Sequence, residues 1–326
     1  MSKSLQTLLL GTSVLAGVVS LSTPSWGASL SSVSTSGEIT VFGENAQHET
    51  YVLNPYTQQD LINALGGTAT AAGGNIELNN TIDNGWSNTH LSTLKANFSD
   101  QRSIVFSSLT QNDWFNNGLA TSWYNTALNT FSTQFTNLAS TLTNLAAQQV
   151  YATVYAQTPG NTSIKTLAAN AARSQYLANN TLNATNTTQM VAALETLKVF
   201  QRLSDPNVSY VREDAGEFTF GLAGHSTVAT GLQIQTSSPL YNIFNSMYAS
   251  EAIKYSLDNG NSWKYVYSFS QPVKSGVVGS DHVSHAGTFE FTVGTRAVPE
   301  ASNALAVGVL GGLLALKQGH RMLKKA

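Results

Sequence analysis

Residues 128–145 read LNTFSTQFTNLASTLTNL. Leu128, Phe131, Phe135, Leu138, Leu142 and Leu145 recur at alternating steps of three and four, the spacing that puts them on one face of a helix. The positions between them are Thr, Ser, Asn, Gln and Ala, not Lys and Glu, and no acid, base or histidine occurs from Trp114 to Gly160. A coiled-coil seam selects its partner through charges flanking the stripe. Their absence favours packing within one domain.

Helix signals continue on both sides. Thr57 can cap a helix through Leu65, and Thr110-Gln-Asn-Asp113 fits a variant capping box ahead of Trp114 and Phe115. Pro159-Gly160-Asn161 ends the central region; further helices are expected through Leu177 and from Gln189 to Leu203. Asp205-Pro206-Asn207 stops them. Beyond it, Glu217–Phe220, Leu232–Gln235 and Thr288–Val293 alternate as strands do, while Leu240–Ala252 suits a helix. Short strands are also expected at Glu38–Phe42, Thr50–Leu53 and Asn75–Leu78. The expected class is α+β: a helix-rich N-terminal half of the mature chain with flanking short strands, then an antiparallel β-rich half, the strands at both ends being candidates for one sheet. Residues 28–205 and 206–297 can be two regions or one domain spanning 28–297; the sequence leaves both open.

Of 326 residues only 10% are charged, 16 Lys and Arg against 18 Asp and Glu, and there is no cysteine. About a quarter charged is usual. The polar surface must come from uncharged residues, including 28 Asn. So small a cationic complement argues against nucleic acid as a partner. Disulfides, thiolate metal sites and cysteine nucleophiles are excluded. At 42% hydrophobic, the chain is not of disordered composition.

Both ends read as address labels. Lys3, the apolar run Leu8–Leu21, and small residues Ser25 and Gly27 at −3 and −1 before Ala28 form a secretory signal over residues 1–27. At the other end, residues 298–326 combine Val298-Pro299-Glu300-Ala301, an apolar stretch at 304–316, and a basic stop of Lys317, Arg321, Lys324 and Lys325. Thirteen apolar residues span roughly 20 Å of a hydrocarbon core about 30 Å thick, a shortfall that snorkelling and bilayer thinning can meet. The positive-inside rule would leave the preceding domain outside.

This tail resembles the PEP-CTERM sorting signal of Gram-negative bacteria and cyanobacteria, in which a Pro-Glu-Pro motif precedes a short membrane helix and a basic tail. Pro299 and Glu300 match; Ala301 stands in place of the second proline. The resemblance implies export, transient membrane anchoring and cleavage by an exosortase-type processing enzyme, in bacteria that produce exopolysaccharide. The tail and the Asn-rich composition together resemble a cyanobacterial family of such proteins. Removing both labels, with Glu300, leaves 11 basic and 17 acidic residues, a charge of −6.

Candidate chemistry is sparse. Ser256-Leu-Asp-Asn-Gly-Asn-Ser-Trp263 resembles the Asp box of sialidase-like propellers, a structural hairpin turn; one copy carries over the turn and no activity. Trp263, Tyr265, Tyr267 and Phe269 share one strand face, as core or as a platform for sugar rings. His282 and His285 with Asp281 lack a further ligand for a metal. Asp205 with Asp214, or Glu213 with Glu217, could be carboxylate pairs, but spacing does not make them face each other. His225-Ser226 lacks a nucleophile elbow. No catalytic residues, metal or cofactor are therefore expected. The expected function is a non-enzymatic, exported and sorted envelope or matrix protein, first anchored in the inner membrane and associated with exopolysaccharide. The alternative is a secreted carbohydrate-binding module or glycan-active hydrolase, with Trp263, Tyr265 and Tyr267 as glycan contacts.

Overall fold

A computed structural model describes residues 27–79, 81–82, 85–86, 91–275, 277–279 and 285–294, with 81–82 and 85–86 described as backbone only. Ser25 and the rest of the leader before Gly27 lie outside these residues. So do Val298, Pro299, Glu300, the apolar stretch 304–316, Lys317, Arg321, Lys324, Lys325, Asp281 and His282.

The class is α+β. The principal strands are β1 (Leu30–Ser36), β2 (Ile39–Glu44), β3 (Glu49–Val52), β4 (Gly74–Leu78), β5 (Thr93–Phe98), β6 (Ser103–Ser107), β7 (Asn207–Asp214), β8 (Glu217–Gly224), β9 (Ile253–Ser256), β10 (Lys264–Val266) and β11 (Gly287–Gly294). One sheet runs β1-β5-β6-β9-β10. The larger runs β11-β8-β7-β4-β2-β3, flanked by two-residue strands Val273–Lys274 and Val278–Gly279. Each sheet combines strands from before and after the helical stretch, so strands from the two sides of the helices do pair, but in two sheets and not in one.

The two sheets pack face to face. Val33, Leu94, Ala96, Phe98, Ile104 and Phe106 of the smaller sheet share a core with Val41, Ile76, Val208, Phe218 and Phe220 of the larger. Rings meet across the gap at Phe98–Phe218, 5.6 Å, and Phe106–Phe220, 4.7 Å. Helix α1 (Gln58–Leu65) adds Leu61, Ala64 and Leu65 to this core. Thr57 accepts from the Asp60 amide, and the Asp60 side chain returns the bond to the Thr57 amide, so the expected cap is a full capping box.

The other face of the small sheet meets a helical cluster. It comprises α2 (Gln111–Phe115), α3 (Leu119–Thr130), α4 (Ser132–Gln157), α5 (Thr162–Asn179), α6 (Thr187–Thr196), α7 (Val199–Arg202), α8 (Val228–Gly231) and α9 (Tyr241–Asn245). Trp114, Trp123, Tyr124, Phe135, Leu138 and Phe200 form its buried centre. The leucine–phenylalanine stripe lies on two helices, not one: Phe131, at φ −126° and ψ 45°, separates α3 from α4. Phe135 and Leu138 are buried, whereas Leu145 is 42% exposed because the helix has by then run past the cluster. A left-handed Lys198 likewise divides the expected 189–203 helix into α6 and α7.

Two expectations are corrected. Leu232–Gln235 is not a strand, because its amides close the short helix α8: Leu232 donates to Val228, Gln233 to Thr230 and Ile234 to Ala229. Helix α9 stops at Asn245 instead of reaching Ala252. The carbonyl of Met247 is taken by the Val228 amide, and the amide of Ser250 by the Ser268 carbonyl. Among the described residues, no helix is long and apolar enough to cross a membrane.

Candidate functional site

The hairpin of β9 and β10 turns as the Asp-box pattern requires. Ser256 Oγ donates to Asp258 Oδ1 at 2.6 Å and accepts from the Gly260 amide at 2.8 Å; the Ser262 amide donates to Asp258 Oδ1 at 2.8 Å. Gly260 at φ +90° supplies the left-handed step. The bonds from Ser256 and Ser262 hold the Asp258 carboxyl down at about 2. Such bonding consumes its acceptor capacity. The motif builds a turn.

The aromatic stretch after it divides. Val266 pairs with Ile253 on the sandwich side, whereas Tyr265 pairs with Lys254 on the helix side. Lys254 is buried, binds Asp113 Oδ2 at 2.9 Å and lies 5.5 Å from the Trp263 ring centre. Tyr265 donates to Asp113 Oδ1 at 2.8 Å, and Tyr267 shares hydrogen bonds with Ser122 and Thr126 of α3. Phe269 is in the core. The half-buried rings of Tyr265 and Tyr267 therefore lie between core and solvent. They line an open groove of about 950 Å³ together with Asn117, Ser122, Thr126 and Ser268; among the described residues no charged side chain lines it, and Trp263 is not among its walls.

A second cavity, about 400 Å³, opens on the outer face of the larger sheet. In β4, Ile76 and Leu78 face the sandwich, so Glu77 faces out. Asn207, paired with Glu77 across β4 and β7, faces the same way. Asp205 enters from the turn between α7 and β7, Glu251 from the segment leading to β9, and His225 from the end of β8. The Asn207 amide donates to Glu251 Oε2 at 2.9 Å. Burial, then Asp205, pushes the Glu77 carboxyl up to about 7. Burial pushes Glu251 well above the carboxylate range, with Glu77 and Asp205 adding repulsion against the Asn207 amide bond. The cavity thus groups two carboxyls whose burial raises their proton affinity with a third, Asp205, whose field adds to that effect. That is acid–base capacity.

The carboxylate pairings considered from the sequence do not form. Asp214 is the last residue of the eight-residue β7 and Asp205 lies two residues before its first, so the strand's length, roughly 23 Å at strand rise, separates them. Glu213 opposes Phe218 across β7 and β8, whereas Glu217 opposes Asp214, so the two glutamates point to opposite faces. Ser226 is exposed, while His225 lines the carboxylate cavity. His285 is buried, its Nδ1 3.0 Å from Thr50 Oγ1 and its ring edge-on to Phe42. No three His, Asp or Glu side chains are placed to hold a metal ion among the described residues.

Glu77, Asp205 and Glu251 escape a reading of local spacing because they come from distant segments. The available signal is weak: Glu77 interrupts an apolar Ile-x-Leu strand in a charge-poor chain. Compared with protein-family models, curated proteins and solved structures, the chain gives no match.

Proposed function

We propose that this chain is an exported, C-terminally sorted envelope or extracellular-matrix protein that binds a neutral, hydroxyl-rich polysaccharide in the groove formed by α3, Tyr265 and Tyr267. One observation carries the choice of site. The groove presents two tyrosine rings and a rim of Ser, Thr and Asn with no charged wall among the described residues. Aromatic faces suit the apolar faces of sugar rings, and hydroxyl and amide rims suit their edges. The −6 charge of the trimmed chain disfavours an anionic polymer at long range. Sorting rests on the terminal segments and their resemblance.

Affinity electrophoresis of the processed protein through neutral and anionic polysaccharide gels tests the binding. Retardation by a neutral polymer that Tyr267→Ala abolishes and Trp263→Ala preserves is expected. Equal mobility in every gel would refute it. Replacing Pro299 and Glu300 should leave full-length protein in the membrane fraction; unchanged processing would count against sorting.

The carboxylate cavity favours a second reading, a glycan-active hydrolase. Glu251, whose burial disfavours its charged form, would serve as the proton donor and Asp205 as the base. Release of reducing ends from a bound polysaccharide, lost in Glu251→Gln with gel retardation intact, would establish it. No release from any retained polymer would remove it.

A further inference from the structure

The residue expected to begin the exported chain is already seated on a buried carboxylate. The Ala28 amide donates to Glu213 Oε2 at 3.3 Å. Ala28 packs against the sandwich core, the next carbonyl, of Ser29, accepts from the Ser99 amide at 2.9 Å, and Leu30 pairs with Phe98. The nitrogen is therefore held in place from its C-terminal side. Preceding it, Gly27 runs against the end of β7, where an added Cβ would stand 1.9 Å from the Glu213 carbonyl oxygen.

Glu213 shares its cation with a second carboxylate. Its side chain is 1% exposed; Oε1 accepts from Arg102 Nη1 and from the Gly216 amide at 2.6 Å. Arg102 is shared with Asp100, 3.1 Å away. Two carboxylates thus draw on one guanidinium, and the oxygen facing Ala28 receives a neutral N–H. A buried carboxylate gains most from a second cation at that position.

We propose that cleavage between Gly27 and Ala28 completes this site: the new α-ammonium of Ala28 pairs with Glu213 and locks β1 into the small sheet. The inference rests on the export reading. In the step itself, a leader peptidase adds water across the Gly27–Ala28 amide. The C–N bond breaks, Gly27 leaves as a carboxylate, and the Ala28 nitrogen takes a proton to become ammonium. Removal of the leader then stabilises the fold as well as releasing it. The sign follows from linkage. An amine whose pKa is raised on folding contributes stability that is complete below its unfolded value, about 8, and is lost as pH rises through the folded value.

The test uses the full chain expressed in an exporting host, in three forms: wild type, Glu213→Gln, and a form with one alanine inserted between Gly27 and Ala28. Mass spectrometry first defines the N-terminus. In wild type, acylation of the α-amine at pH 8 should be roughly fivefold slower than in the insertion form, matching a pKa raised by about one unit from about 8. The wild-type melting temperature should exceed that of the insertion form at pH 7 and converge with it above about pH 10. Glu213→Gln should restore ordinary α-amine reactivity, which can be read even if that variant melts early. A chain cut before Ala28 whose α-amine reacts like that of the insertion form overturns the ion pair. A chain not cut there overturns the export reading on which it rests, and the mass alone separates the two failures.

Discussion

Replacing Asp113 by alanine should be among the costliest single changes in this protein. Asp113 closes the capping box of α2, accepting from both the amide and the hydroxyl of Thr110 at 2.8 Å. It also receives Lys254 Nζ at 2.9 Å and the Tyr265 hydroxyl at 2.8 Å. Aspartate and lysine side chains are 7% and 8% exposed, so the carboxylate joins the helical cluster to the small sheet out of reach of water. Burial opposes its charge, yet the bonds from Thr110, Lys254 and Tyr265 outweigh it and hold the carboxyl below the ordinary range. Losing the cap alone costs about 1 kcal/mol. Stranding the Lys254 ammonium is the larger penalty, about 3–5 kcal/mol for one partner removed from a buried pair. We expect Asp113→Ala to fall in that range in urea unfolding. Lys254→Met should cost less, because Asp113 keeps Thr110 and Tyr265. The double variant should cost less than the two added, a coupling of at least about 1 kcal/mol. The unfolding midpoint of the wild type should also respond little to added salt, since a dry pair is weakly screened. A loss below about 1 kcal/mol for Asp113→Ala, or strict additivity in the cycle, would refute this account.

Two further outcomes follow from packing and charge. Because Glu77 is held up to about 7 in the fold, the native state binds the extra proton and stability should fall as pH rises from about 4.3 to about 7; Glu77→Gln should flatten that part of a melting-temperature profile, and an unchanged slope would exclude Glu77 as its source. Gly221 has no room for a side chain, its Cβ position lying 2.3 Å from Tyr210 Cε1 and 2.8 Å from Thr288 Cγ2, so Gly221→Ala should destabilise by about 1–3 kcal/mol in urea unfolding, and a neutral result would show that the strand can shift.

Where a residue's role is settled within a few neighbours, it could be read directly. Thr57 and Thr110 form the capping boxes their spacing indicates. Ser256-Leu-Asp-Asn-Gly closes the hairpin, and Pro159-Gly160-Asn161 separates α4 from α5 with Asn161 as the cap. β1 gave little signal, since LSSVSTS buries one residue, Val33, and is held by pairing with β5. Leu232–Gln235 alternates correctly for a strand, yet closing α8 claims its amides first. Periodicity reports which face is apolar, not which hydrogen-bond partners arrive. The breaks at Phe131 and Lys198 are similar, because a stripe continues in projection when its helix does not.

The chain's order of segments thus determined by itself the α+β class, the helix caps, the hairpin turn and the charge-poor surface. Each depends on neighbours in sequence. Only the tertiary structure decided that Tyr265 and Tyr267, without Trp263, line an uncharged groove, that Glu77, Asp205 and Glu251 share a cavity, and that Glu213 receives the nitrogen of Ala28. The physical reason is common to all three. Burial and the approach of distant charges set the energy of these groups, and both are properties of the packed sheets and helices, absent from any local stretch of chain.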